Sequence, residues 1–263
     1  MAEYIDVEEA RSLPGLRLVL TRGVPGPWGE AAKGMFHLQG IPFARVAQRG
    51  GQPNPELEAW TGHANAPQAI YEDEPARCGW TEIILLAERL TPERSLLPAE
   101  AAERAELFGL GYLIAGEEGF GWQRRLMLLH PILSLPHSAL PADNPMRLTV
   151  ERLGSRYGYT AEAAEAAPAR VAAILRALSA RLEAQKSVGS PYFFGNAPTA
   201  LDVLWSAFAA LLKPLPEEQC SFPDMMRAQY TVADPIVLEA ASPLLLAHRD
   251  FFYEKHLPLP LDF

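Results

Sequence analysis

The residues "LRLVLT" at 16–21 are a short apolar run rich in branched side chains and closed by Arg22-Gly23, a pattern that predicts a strand. Pro25 and Pro27 then punctuate a loop. Across 28–39 the apolar positions Ala31, Ala32, Met35, Phe36 and Leu38 fall at helical spacing, and Gly40 supplies the C-terminal stop. "PFARVAQ" reads as a second strand, so the chain opens as strand, helix, strand, with a connection long enough for a right-handed parallel crossover. Residues 49–65 are rich in Gly, Pro and Asn, with room for one short helix around "PELEAW". "QAIYEDEPARCGW" reads as two short strands joined at Glu72–Pro75, an antiparallel hairpin. "TEIILLAERL" at 81–90 reads as a helix with Thr81 as N-cap. The order βαβ then ββα predicts a small α/β sandwich domain over 1–92.

Past the Pro-marked linker "TPERSLLP" (91–98) the texture changes. "AEAAERAELFGLGYLIAGEEG", "GWQRRLMLLHPIL", "AAPARVAAILRALSARLEAQ", "ALDVLWSAFAALL" and "ADPIVLEAASPLLLAHRDFFYEKH" are all helix-patterned, with no strand signal among them. They predict an all-α domain over 93–263, with "LPLPLDF" lying along a surface. One helix start is unusually legible. "GNAPTALDVLWSAFAALL" places Thr199 as N-cap and Asp202 at N3, a capping box with its carboxylate facing the helix N-terminus. A cap on a core helix, rather than direct chemistry, is the reading that pattern favours.

Composition narrows the function classes. The net charge of −9 argues against nucleic-acid and anionic-membrane partners, which demand basic faces. "MAEYIDVEEARSL" has neither the basic nor the apolar region of a secretory leader, and no apolar run approaches the length of a bilayer span. The two cysteines, Cys78 and Cys220, are far apart in unrelated contexts, so reduced thiols and a cytoplasmic location are expected. The histidines make no H-E-x-x-H, and His130 and His137 lie in a Pro-broken segment, so no metal site is expected. No G-x-G-x-x-G, Walker loop or G-x-S-x-G occurs. Cys78 reads as a small buried hydrophobe in a strand, with a reactive thiol as the alternative.

Taken in order, three stretches carry a family likeness. "GPWGEAAKGMFHLQGIPF", "NAPQAIYEDEPARCGWTEIILLAERL" and "PYFFGNAPTALDVLWSAF" resemble, respectively, three regions of the soluble glutathione transferase superfamily. These are its first helix and second strand, its cis-proline region, and the opening of its buried helix. The chain resembles a divergent bacterial-type member. The resemblance implies a thioredoxin-like N-terminal domain, an all-helical C-terminal domain, glutathione as substrate or ligand, and a homodimer.

It also implies where a ligand would lie. The tripeptide would take backbone bonds from Ala66, before a cis Pro67; an ordinary trans proline opening a strand is the alternative. Its thiol would face the N-terminus of the first helix, near Gly26 and Gly29, where unpaired N–H groups and the helix dipole favour a thiolate. The family's usual Cys or Ser falls on Gly26, and in the tyrosine-using classes the hydroxyl-bearing residue falls at Arg22; neither catalytic side chain is present. Arg22 is the candidate to stabilise a thiolate by charge, or is a solvated strand-end arginine. Trp28 either walls the site or packs between the domains. The γ-glutamyl end would meet Trp80 and Thr81, an altered subsite, with Thr81 otherwise the helix cap. A hydrophobic electrophile would bind between the domains against Tyr112, Phe120 and Trp122, with Arg124 and Arg125 available for an anionic group. Conjugation or isomerisation of a small electrophile is the implied activity, and a non-catalytic binding or structural protein of the same fold is the alternative.

Overall fold

The computed structural model describes residues 3–263. In chain order its elements are α1 (Val7–Ser12), β1 (Leu16–Thr21), α2 (Pro27–Gln39), β2 (Phe43–Gln48), α3 (Pro55–Thr61), β3 (Gln68–Tyr71) and α4 (Trp80–Leu90). There follow α5 (Ala101–Ala115), α6 (Phe120–Leu133), α7 (Pro145–Arg156), α8 (Ala161–Ser187), α9 (Ala200–Phe208), α10 (Asp224–Tyr230), α11 (Pro235–Ala240) and α12 (Pro243–His256). Among the described residues no strand lies beyond β3, so the switch from mixed to all-helical structure after α4 follows the change in periodicity.

The sheet order is β2-β1-β3. β1 runs parallel to β2, with Leu16 opposite Phe43, and antiparallel to β3, with Leu16 opposite Tyr71. Alternation along β1 sorts its side chains: Leu16, Leu18 and Leu20 pack with Phe36 of α2 and Ile83 and Leu86 of α4, while Val19 packs with Ala10, Leu57 and Val46 on the other face. Helix α2 stops where the sequence indicates, because Gly40 adopts φ 69°, ψ 27° and its amide closes back onto His37 and Phe36.

Two local expectations are corrected. The second strand of the hairpin shrinks to a single bridge between Ala69 and Arg77, whose amides and carbonyls exchange two 2.9 Å bonds. Pro75 has no N–H to extend the ladder, and the amides of Cys78 and Gly79 are captured by the Glu82 carboxylate at 3.0 and 2.8 Å. That capture starts α4 one residue early, with Gly79 rather than Thr81 as its N-cap. The acidic opening of the chain also folds: Asp6 caps α1 by accepting the Glu9 amide at 2.8 Å.

The main core joins the two parts of the chain. Ala31 and Met35 of α2 share one buried cluster with α9, α8 and α12. A Cβ on Gly34 would come 2.7 Å from Val203, so the glycine lets α2 cross α9 closely. Every residue of α9 is buried. The last residues, the expected surface tail, lie along α2: Lys33 Nζ donates to the Asp262 carbonyl at 2.6 Å, and the Asp262 carboxylate pairs with Arg45 at 2.7 Å.

Candidate functional site

Helix α2 begins at a bare N-cap. Gly26 has φ −67°, ψ 130° and no side chain to satisfy the first turn; its carbonyl accepts the Glu30 amide at 2.9 Å. Pro27 has no N–H to offer. The next two amides, those of Trp28 and Gly29, have no partner among the described residues, so they remain free donors at the positive end of the helix. A Cβ on Gly26 would meet nothing within 4 Å, so the space in front of this turn is open.

The loop before β3 faces the same space. Ala66–Pro67 is cis, as the resemblance implies. Fully buried Gln68 fixes the approach by donating to the carbonyls of His63 at 2.9 Å and Asn65 at 2.7 Å. Ala66 itself keeps its N–H and C=O without partners among the described residues. Gly26, Trp28, Ala66 and Pro67 line one cavity of about 330 Å³, closed on the helical side by residues of α6, α7 and α10. Trp28 serves both roles read from the sequence. Its Nε1 donates to the Ala115 carbonyl at 2.9 Å and its ring meets Phe208 edge-on at 4.8 Å, while it also walls the cavity.

The other residues singled out from the sequence lie elsewhere. Arg22 is exposed and lines an adjoining groove beside β2 and α3, which shares Tyr4 and Gly50 with the cavity. Trp80 packs against α5, where a Cβ on Gly111 would come 2.8 Å from its ring, and Thr81 sits inside the first turn of α4; neither lines the cavity. Of the three aromatics, Phe120 is core, packed 5.6 Å from Trp205. Tyr112 points outward, 51% exposed. Trp122 stands behind the wall, donating to the Tyr157 carbonyl at 2.8 Å and meeting its ring edge-on. The helical wall is built instead from Leu128, Leu153, Tyr157, Tyr230 and Arg125. Of the adjacent arginines, Arg124 is buried and engaged with the carbonyls of Leu211 at 2.8 Å and Tyr230 at 3.3 Å. Burial, with Arg125 beside it, pulls its pKa down to about 10.

Beyond that wall, Tyr4 and Glu30 are further cavity residues absent from the sequence reading. Tyr4 enters from the N-terminal segment. Burial first, then the Glu30 charge, pushes its hydroxyl up to about 12, so it stays a neutral O–H donor near neutral pH. Glu30 sits one turn into α2, buried, with its carboxyl pushed above the ordinary range by burial against the opposing pull of Lys33 at 2.9 Å. Asp6-x-x-Glu9 could have revealed that the N-terminal segment is ordered; nothing local marks Tyr4 as facing the cavity. Cys78 is no rival nucleophile: burial, then Glu82, push its thiol up to about 11.

No family model matches the chain, and no curated protein matches it significantly. Solved structures do. A glutathione S-transferase from Methylobacillus flagellatus KT with glutathione bound is 12% identical, with 91% of this chain and 95% of that one covered at a TM-score of 0.59. Rice GST1 in complex with glutathione is 17% identical over 95% and 93%, also at 0.59. The beta-etherase LigF from a Sphingobium strain is 18% identical over 86% and 98%, at 0.56. These likenesses show that the chain has the glutathione transferase fold, a thioredoxin-like part followed by a helical part. Among the described residues no helix is long and apolar enough to cross a membrane.

Proposed function

We propose, taking the glutathione transferase fold as premise, that this chain binds glutathione in the cleft and activates its thiol at the N-terminus of α2. The observation that carries this reading is the convergence of two sets of unpaired backbone groups on one cavity. The unpaired Trp28 and Gly29 amides would suit an anionic sulfur, and the unpaired N–H and C=O of Ala66 would suit an extended peptide. The thiol would lose its proton to solvent. The thiolate would then form a C–S bond at an electrophilic carbon, whose electron pair moves onto an electron-withdrawing group or departs with a leaving group. Reversal of such an addition after bond rotation gives isomerisation. Neutral Tyr4 adds a hydroxyl donor at the same cavity.

A second reading, a non-catalytic binding protein, is favoured by one feature: no thiol or hydroxyl stands at position 26. Two copies associating through the side where Leu85 of α4 and Tyr112 of α5 are exposed form part of the same proposal; a monomeric mass by light scattering would remove that part. One titration separates the two functional readings. Binding of S-methylglutathione must raise Tm. With glutathione itself, the ultraviolet absorbance of the thiolate should show the bound thiol ionising at least about one pH unit below the free one. Binding with an unshifted thiol supports the binding protein, and no binding of either compound ends both readings.

A further inference from the structure

Arg125 of α6 presents its guanidinium to the cleft without a carboxylate partner among the described residues. Its Nη1 donates to the Tyr230 hydroxyl at 2.9 Å, and the guanidinium lies 5.3 Å from that ring's centroid. Burial opposes its charge, but Tyr230 and Tyr157 outweigh that opposition, so the group is held protonated. These tyrosines supply dipoles, not a counter-charge. Arg156, exposed at the end of α7, brings a second cation to the same cavity. The cavity's one carboxylate, Glu30, is committed to Lys33. In a chain of net charge −9 the uncommitted charge of this cleft is therefore positive. A half-buried guanidinium whose protein partners are neutral hydroxyls keeps donors with which it can meet an anion entering the cleft. Its planar fork matches a carboxylate, which it can engage with two parallel bonds.

We propose that the electrophile is a small carboxylic acid, its carboxylate bound by Arg125 and drawn inward past Arg156, so that its reactive carbon faces the α2 N-terminus. This rests on the thiol-activating reading above and assigns that site its substrate class. Tyr230 and Tyr157 are positioning residues, because they orient the guanidinium rather than touch the acid's charge.

The test uses two nearly isosteric conjugates, S-(4-carboxybenzyl)glutathione and S-(4-carbamoylbenzyl)glutathione, titrated calorimetrically into the whole protein and into Arg125→Gln. The wild type should bind the carboxylate at least about tenfold more tightly than the amide, the lower end for hydrogen bonds to a charged group. Arg125→Gln, which keeps a donor for Tyr230, should erase that preference, weakening the carboxylate at least about tenfold more than the amide. Should Arg125→Gln fail to fold, Arg125→Lys should retain only part of the preference, since an ammonium cannot present the fork. Equal binding of both conjugates by the wild type overturns the inference but leaves the thiol site standing. An equal loss of both conjugates in the variant assigns Arg125 to the tripeptide or its sulfur and also overturns it. If neither conjugate binds the wild type, the inference and the reading beneath it fall together.

Discussion

Position 26 can accept the hydroxyl that it lacks. Gly26 is extended rather than left-handed, and an added Cβ meets open space. A serine there would accept an amide of the first turn as an ordinary N-cap, adding only a few tenths of a kcal/mol over glycine. Its O–H would still be free to donate to a bound thiolate. Gly26→Ser is therefore expected to melt at an unchanged or slightly higher temperature. It should lower the bound thiol's pKa by about one further unit, the smaller end of what a charge-assisted bond provides; a titration of the complex by thiolate absorbance reads it. Arg22 gives the opposite expectation. Its exposed guanidinium opens onto a groove beside the cavity, where solvent screens its charge. Arg22→Ala should give a pH profile of turnover superimposable on that of the wild type. A loss confined to neutral pH would restore Arg22 as the thiolate's cation.

Among the elements, α9 shows how a local signal acquires tertiary weight. Asp202 is fully buried and accepts the Thr199 amide at 2.7 Å, the Thr199 hydroxyl at 2.6 Å and the Phe193 amide at 2.9 Å. The sequence reveals the first two partners through the spacing of a capping box. The third comes from the turn beneath the helix, and His248 Nε2, 3.2 Å away, from α12. Asp202→Ala should thus cost about 2–5 kcal/mol, because it leaves the buried amides of Thr199 and Phe193 unpaired at about 1–3 kcal/mol each, rather than the roughly 1 kcal/mol of an exposed cap. Thr199→Ala should fall nearer the smaller figure; denaturant midpoints distinguish them. The same contrast governs what could be read elsewhere. The alternation of β1 and the glycine stop of α2 are local and legible. The bridge at Arg77 is not, because Glu82, five residues ahead, competes for the backbone that follows it. The cleft's helical wall is least legible of all: Arg125 and Tyr230 meet across 105 residues, and only tertiary packing decides that Arg125 faces the cavity while Arg124 is consumed by the carbonyls of Leu211 and Tyr230.

At the scale of the whole molecule, the floor of the cleft is tied to the far end of the chain. Lys33 bridges Glu30 at 2.9 Å and Asp262 at 3.3 Å, and Asp262 in turn pairs with Arg45. Glu30 titrates above the ordinary carboxylate value of 4.5 in the folded protein, so between that value and its raised one the native state binds the proton and the unfolded state does not. This linkage makes stability fall as pH rises through the window, the reverse of an exposed paired carboxylate. The Tm of the wild type relative to Glu30→Gln should accordingly be greatest at the acidic end and decline upward from about pH 4.5. A flat difference across that range would show that burial does not perturb Glu30. The link between Lys33 and Asp262 spans 229 residues of sequence. During synthesis α2 therefore leaves the ribosome long before the segment that clasps it is made. A nascent chain can close β1, α2 and β2 into a sheet and helix, yet Lys33 must wait with Glu30 alone until translation has reached Asp262. The cleft becomes complete only when the assembly of the helical part carries Asp262 back to where folding began.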